Sequence, residues 1–171
     1  MRLIVHDLCG VSENQIGERF NSDGQELRVV SDDGTIKQCV GCFSCWVKTP
    51  GQCVIRDKYN NMGELMGKAD ELIIISQCRY GTYSQFVRNV LDRCLPYTHP
   101  YFTKRKKEIH HKKRYTNRIR IKVYFYGDVD EAEQKTAKQL VEANVINFDG
   151  VMEFVKFFER KEEILNENST H

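Results

Sequence analysis

The segment Glu71-Leu72-Ile73-Ile74-Ile75-Ser76 carries an unbroken run of apolar residues. A strand with one wet face alternates apolar and polar side chains. A continuous run belongs to a strand covered on both faces, as in the centre of a parallel sheet. Around it the chain alternates strand and helix patterns, which points to an α/β fold with helices on both faces of that sheet.

Arg2 to Asp7 reads as the first strand, followed by a loop at Cys9-Gly10. Ser12 is placed as an N-cap, and Gln15 three residues on completes a capping box for a short helix, Glu13 to Phe20. Leu27 to Val30 is a second strand, and Asp33-Gly34 turns the chain into Thr35 to Gln38, expected as a short hairpin return. Asn60 to Lys68 is a modest helix. Ser84 is expected to cap an amphipathic helix whose apolar stripe is Phe86, Val87, Val90, Leu91 and Leu95. Pro96 to Arg118 reads as a long irregular basic segment. Ile119 to Tyr126 is a strand, Asp130 to Asn144 a helix and Val151 to Phe158 the last strand. Five parallel strands with helical crossovers imply a flavodoxin-like three-layer sandwich of order 2-1-3-4-5. Residues 1–165 are expected to form a single domain, with 166–171 a frayed polar tail.

The 171 residues are 40% hydrophobic and 29% charged with a formal net charge of +2, ordinary for a globular domain. No stretch reaches membrane-spanning length and no basic-then-apolar leader opens the chain, so a cytoplasmic protein without membrane attachment is expected. Seven cysteines, an odd number, disfavour a disulfide framework and bring metal, cluster, redox or core roles forward. Neither a Gly-x-Ser-x-Gly elbow nor a Walker-type loop is present, which removes the commonest hydrolase and nucleotidase readings.

In an open parallel sheet, ligands sit beyond the carboxyl ends of the strands. Three loops are expected there: His6 to Asn14, Gln77 to Ser84 and Gly127 to Asp130. The middle loop, Cys78-Arg79-Tyr80-Gly81-Thr82-Tyr83-Ser84, carries the most useful chemistry. Gly81 permits close backbone approach, Tyr80 and Tyr83 offer ring faces, and backbone N–H groups can bind a planar heterocycle. Cys39, Cys42, Cys45 and Cys53 form a C-x2-C-x2-C-x7-C pattern. Thiolates at every third residue can wrap one face of an iron–sulfur cube, and Thr49-Pro50-Gly51 turns the chain to return the fourth. The same residues are open to other readings: small apolar residues in a loop packed by Phe43 and Trp46, a redox disulfide, or a reactive Cys45. Zinc is less suited, because its cysteine pairs normally stand further apart.

Ile75 to Gly81, then Ser84 to Arg88, then Leu91-Asp92-Arg93 resemble the flavin-binding segment of the NADPH-dependent FMN reductase and iron-sulfur flavoprotein families, with Cys78 where a proline is usual. The cysteine pattern, with Asp57 downstream, resembles the compact motif of the iron-sulfur flavoproteins. The resemblance implies FMN, with Arg79 to Ser84 at the isoalloxazine ring and Gly127 nearby. It also implies NAD(P)H as co-substrate and a [4Fe–4S] cluster on the four cysteines. A homodimer or homotetramer handing electrons to a small-molecule or protein acceptor would follow. The first loop departs from the family's Gly-Ser-x-Arg-type start: only Gly10, Ser12 and Asn14 suit a phosphate there, while Asp7 and Glu13 would repel it. Three functions follow: an FMN-dependent NAD(P)H oxidoreductase, an iron–sulfur flavoprotein electron carrier, and a flavin-free protein acting through its basic segment.

That segment holds ten Lys and Arg (104, 105, 106, 107, 112, 113, 114, 118, 120, 122) against Glu108 alone between Thr98 and Lys122. Such a run is normally a solvated face, and it can also recruit the phosphates of NADPH or FMN. Nucleic acid is the rival, but no binding module accompanies it. His110 and His111 are candidate proton donors or ligands, expected to point apart, and His6 is expected near the site with a core or capping role.

Overall fold

The protein is described from a computed structural model covering residues 1–21 and 24–167. Its chain order is β1 (Arg2–His6), α1 (Glu13–Phe20), β2 (Leu27–Ser31), α2 (Ser44–Val47), α3 (Met62–Lys68), β3 (Glu71–Gln77), α4 (Gln85–Arg93), β4 (Thr98–Arg105), β5 (Glu108–Lys113), β6 (Arg120–Tyr126), α5 (Glu131–Phe148), β7 (Val151–Phe158) and α6 (Lys161–Asn166). Five strands form one parallel sheet, β2-β1-β3-β6-β7. This is the expected 2-1-3-4-5 order. The unbroken apolar run of β3 lies at the centre, and its side chains divide between two cores. Leu72 and Ile74 join Val87, Val90, Val123 and Phe125 on one face. Ile73 and Ile75 join Ile4, Ile16, Phe20 and Tyr124 on the other.

The amino-terminal ends of the strands are tied by charge. Glu71 is buried between Arg2, which it pairs with directly, and Lys122 at 2.7 Å. Arg120 and Lys122 continue to Glu153 at 3.0 and 3.3 Å. Burial acts to raise the Glu71 carboxyl, but hydrogen bonds from Lys122 and Arg2 outweigh it and hold the group below its ordinary range.

Residues 96–118 are not irregular. After a 3-10 turn at Leu95–Tyr97, β4 and β5 form an antiparallel hairpin, with positive φ at Lys106 and Lys107 in its two-residue turn. Lysines depress the strand signal there, and tertiary docking overrides it. The hairpin sits on the carboxyl end of α5. Arg105 donates to the Ile146 carbonyl at 3.1 Å, and Lys113 lies 3.3 Å from Asp149, so cations meet the negative pole of that helix. The basic run is thereby divided. Arg105, Lys113, Arg114, Arg120 and Lys122 are engaged within the molecule, whereas Lys104, Lys106, Lys107, Lys112 and Arg118 are exposed.

Thr35 to Gln38 forms no strand. Asp32 and Asp33 accept the backbone N–H groups of Gly34 and Thr35, so local side-chain turns hold this stretch instead. Helix α4 ends before Leu95 because Pro96 follows, and α5 runs on to Phe148, where Asp149 adopts the left-handed conformation. Residues 168–171 of the expected tail lie outside the described residues. Among the described residues no helix is long and apolar enough to cross a membrane.

Candidate functional site

The carboxyl ends of β1, β3 and β6 are bound together by Asp7. Its Oδ2 accepts the Gln77 backbone N–H at 2.9 Å and its Oδ1 accepts the Tyr126 hydroxyl at 3.0 Å. The Cys78 N–H donates to the Tyr126 carbonyl at 2.8 Å. Burial, and then Asp7, push the Tyr126 phenol far above its ordinary value, so it remains a hydrogen-bond donor.

Beyond β3 the chain makes a tight turn in which Arg79 and Thr82 exchange backbone hydrogen bonds at 3.0 Å. Tyr80 (φ +53) and Gly81 (φ +70) occupy its two central positions, as a type I′ turn requires. Gly81 packs closely against α5: a Cβ there would meet the Thr136 Cβ at 2.7 Å and the Glu133 carbonyl at 3.0 Å. Tyr80 is 90% exposed at the tip. Arg79 donates from Nε to the Gln77 Oε1 at 2.9 Å, and Ser84 caps α4 by accepting the Val87 N–H. These residues surround a cleft of about 490 Å³ lined by Asp7, Gln77, Arg79, Tyr80, Ser84 and Tyr126, among others.

The β1–α1 loop adjoins the cleft through Asp7. Gly10 has φ +78 and is exposed. Ser12 and Gln15 form the expected capping box, the Ser12 Oγ accepting the Gln15 N–H at 3.3 Å. Lys161, from α6, donates to the Cys9 carbonyl at 2.9 Å and so brings a cation to this loop. His6 is buried, its Nδ1 accepts the Leu8 N–H at 3.2 Å, and burial lowers its pKa.

In the cysteine loop, positive φ at Gly41 and Phe43 leads into α2, which carries Cys45 inward. The Gly51 N–H then donates to the Cys45 carbonyl and the Cys53 N–H to the Asn60 carbonyl, each at 3.0 Å. Burial pushes the Cys45 thiol up to about 11, and the neighbouring Cys53, Cys39 and Cys42 add to the shift. Hydrogen bonds from the Ser44 hydroxyl and N–H lower the exposed Cys42. All seven cysteines are free. Among the described residues no three His, Cys, Asp or Glu side chains converge on a single ion. Phe43 stacks on Trp46, Trp46 meets His111 at 4.6 Å, and His111 meets Phe102 at 4.8 Å, which ties the loop to the hairpin.

No family model matches the chain. Over 82 residues it is 32% identical to an iron-sulfur flavoprotein of Archaeoglobus fulgidus, covering 48% of this chain and 36% of that protein. A second iron-sulfur flavoprotein of the same organism is 30% identical over 79 residues, covering 46% and 38%. The matches thus span little more than a third of each relative. Among solved structures, an azoreductase from Bacillus anthracis str. Sterne superposes with TM-score 0.56 at 12% identity, covering 96% of this chain and 92% of that one. An FMN-dependent NADH-azoreductase from Bacillus anthracis str. Ames Ancestor, in complex with FMN, gives 0.55 at 11% identity over 96% and 92%. The chain has the flavodoxin-like fold.

Within that flavodoxin-like frame, Arg79, Tyr80, Thr82 and Ser84 come together at the cleft. Cys78 and Tyr83 are buried; one face of the Tyr83 ring stacks on Phe125 at 5.2 Å, and Tyr83 also forms part of the cleft's inner lining. Gly127 (φ +123) lies beside the Cys78 carbonyl. Asn14 lines a separate groove between α1 and β2, together with Glu13. His110 contacts Asn147 at 2.9 Å, while His111 is held between the rings of Trp46 and Phe102; the two point apart as expected. Sequence reading placed Gln77 in the site loop without a role and missed Tyr126 and Lys161. It took Asp7 only as a repulsive charge, although both its oxygens accept hydrogen bonds. Tyr126 and Lys161 lie far from the loop in sequence, and no local pattern signals their arrival.

Proposed function

We propose that the protein is an FMN-dependent oxidoreductase that takes hydride from NAD(P)H and passes electrons to a small-molecule or protein acceptor. The observation that carries this reading is the cleft at the carboxyl ends of β1, β3 and β6. Its volume lies within the usual range of cofactor pockets, and it is lined by the Asp7–Tyr126 pair and the projecting Arg79-Tyr80 turn. When bound, FMN supplies hydride acceptance and electron transfer. Tyr80 offers the ring face for stacking, Arg79 supplies a guanidinium donor, and Asp7 holds the strand ends in place. Gly10, Ser12 and Lys161 serve the phosphate side. The Lys161 cation stands in for the basic residue this loop lacks. No single side chain is assigned as catalytic.

Cys39, Cys42, Cys45 and Cys53 are the residues that would hold a [4Fe–4S] cluster, a second reading favoured by their C-x2-C-x2-C-x7-C spacing in one loop. Exposed Val40, Phe43, Val47, Phe102 and Ile109 on the cysteine loop and hairpin support a homodimer or homotetramer, which sedimentation velocity checks. Cytoplasmic localisation completes the reading.

Titration of the anaerobically purified protein with FMN, followed by flavin fluorescence, tests the proposal. Saturable quenching is expected. A protein that leaves FMN fluorescence unchanged and carries no flavin absorption would sink the oxidoreductase reading. Iron and acid-labile sulfide analysis decides the cluster.

A further inference from the structure

Arg93 ends α4 with a side chain that is 0% exposed. Burying a guanidinium is costly unless every donor finds a use. Here its fork is spent on one segment. Nη1 donates to the Lys37 carbonyl at 2.8 Å and to the Asp57 Oδ2 at 2.7 Å. Nη2 donates to the Asp57 Oδ1 at 2.7 Å and to the Ile55 carbonyl at 3.3 Å. Asp57 in turn accepts the N–H groups of Lys37 at 3.2 Å and Tyr59 at 3.0 Å. Lys37 stands two residues before Cys39, and Ile55 two residues after Cys53. One planar group therefore holds both ends of the cysteine loop together.

Between those ends the loop is shaped by its own backbone hydrogen bonds around α2 and by the Phe43–Trp46–His111 ring contacts, with little apolar burial. Cys45 is its one buried apolar member, Trp46 hydrogen-bonds the Leu95 carbonyl at 3.3 Å, and Val40, Phe43 and Val47 face outward. Free ends would lose closure entropy each time the four thiols met. The remaining donor of Arg93, Nε, is buried with no hydrogen-bond partner.

We propose that Arg93, locked by Asp57, is the positioning residue of the cysteine site: it closes the loop at its base and so gathers the thiols. Its role in a cluster rests on the second reading above, but its role in gathering the thiols does not. Lysine keeps the charge but cannot reproduce the fork, so Arg93→Lys separates the two contributions.

The test uses the full chain and the variants Arg93→Lys, Arg93→Gln and Asp57→Asn, with folding followed by thermal melts and FMN quenching. Reduced protein is treated with dibromobimane, which fluoresces once it links two neighbouring thiols. After reconstitution with iron and sulfide, loss of iron to a chelator is recorded. In folded Arg93→Lys, thiol linking is expected to fall and iron to leave about 10- to 100-fold faster. Asp57→Asn moves the same readouts in the same direction, and if Arg93→Gln does not fold, the other two variants report. Wild-type linking and iron retention in Arg93→Lys would overturn the proposal, as would a wild type whose thiols do not link. If the wild type takes up no iron yet linking falls in the variant, the thiol-gathering role stands and the cluster reading falls.

Discussion

Tyr80 holds an L-residue in left-handed backbone at φ +53 while leaving its ring almost wholly in solvent. That conformation costs about 1–2 kcal/mol relative to its mirror region, and an exposed ring returns little packing energy. Strain of this kind concentrates where a side chain must be displayed. Tyr80→Gly is therefore expected to raise stability by about 1 kcal/mol in urea denaturation, because glycine adopts this φ freely. The same substitution is expected to weaken FMN quenching. A variant that is stabilised but binds FMN as well as the parent would remove Tyr80 from the site. Gly81, next in sequence, obeys the opposite logic: its missing Cβ is filled space, with Thr136 already there.

Among the elements, α3 shows how a short helix is positioned without a long apolar stripe. Gly63 and Gly67 lie one turn apart and give their face to the segment that leads into and out of the hairpin. A Cβ on Gly63 would stand 2.6 Å from the Pro96 Cβ, and one on Gly67 would stand 2.5 Å from the Tyr115 ring. That ring is stacked on Tyr97 at 5.7 Å and cannot easily retreat. Gly67→Ala is expected to gain up to about 1 kcal/mol of helix propensity but lose about 1–3 kcal/mol to overpacking. The net result is a lower urea midpoint. An unchanged or higher midpoint would mean that the base of the hairpin yields. The hairpin itself was legible only as charge, because its strands are stabilised by docking on α5 rather than by an apolar alternation of their own.

For the whole molecule, acid stability follows from three buried groups. Burial opposes ionisation of Asp57, but hydrogen bonds from Arg93 and from the Lys37 and Tyr59 N–H groups hold its carboxyl below the ordinary range, and Glu71 behaves alike. The unfolded chain therefore takes up these protons first as pH falls. Their contribution is complete above their unfolded pKa values, near about 4, and is lost as pH drops through the folded values. His6 is lowered by burial, so its share is complete above about pH 6.5 and begins to be lost below it. Thermal melts across pH should show a plateau above neutrality, a shallow decline below it and a steep fall in the carboxylate range. At pH 7, Asp57→Asn should cost about 3–5 kcal/mol by leaving Arg93 without its counter-charge. A flat profile down to pH 4 for the parent is compatible with the carboxylates but not with His6.

The local sequence determined the parts whose signals are local. The unbroken run of β3, the Ser12–Gln15 capping box and the Ser84 cap each depend on residues a few positions apart, so pattern and propensity suffice to read them. From those elements the crossover rule led to the sheet order. Only the tertiary structure decided that Arg93 meets Asp57 beneath the cysteines, that Lys161 reaches Cys9, and that Tyr83 turns inward while Tyr80 turns out. Each of these depends on surfaces that exist only after the crossovers have closed. Burial then selects which charges must pair and which rings are left free, and no stretch of sequence carries that information by itself.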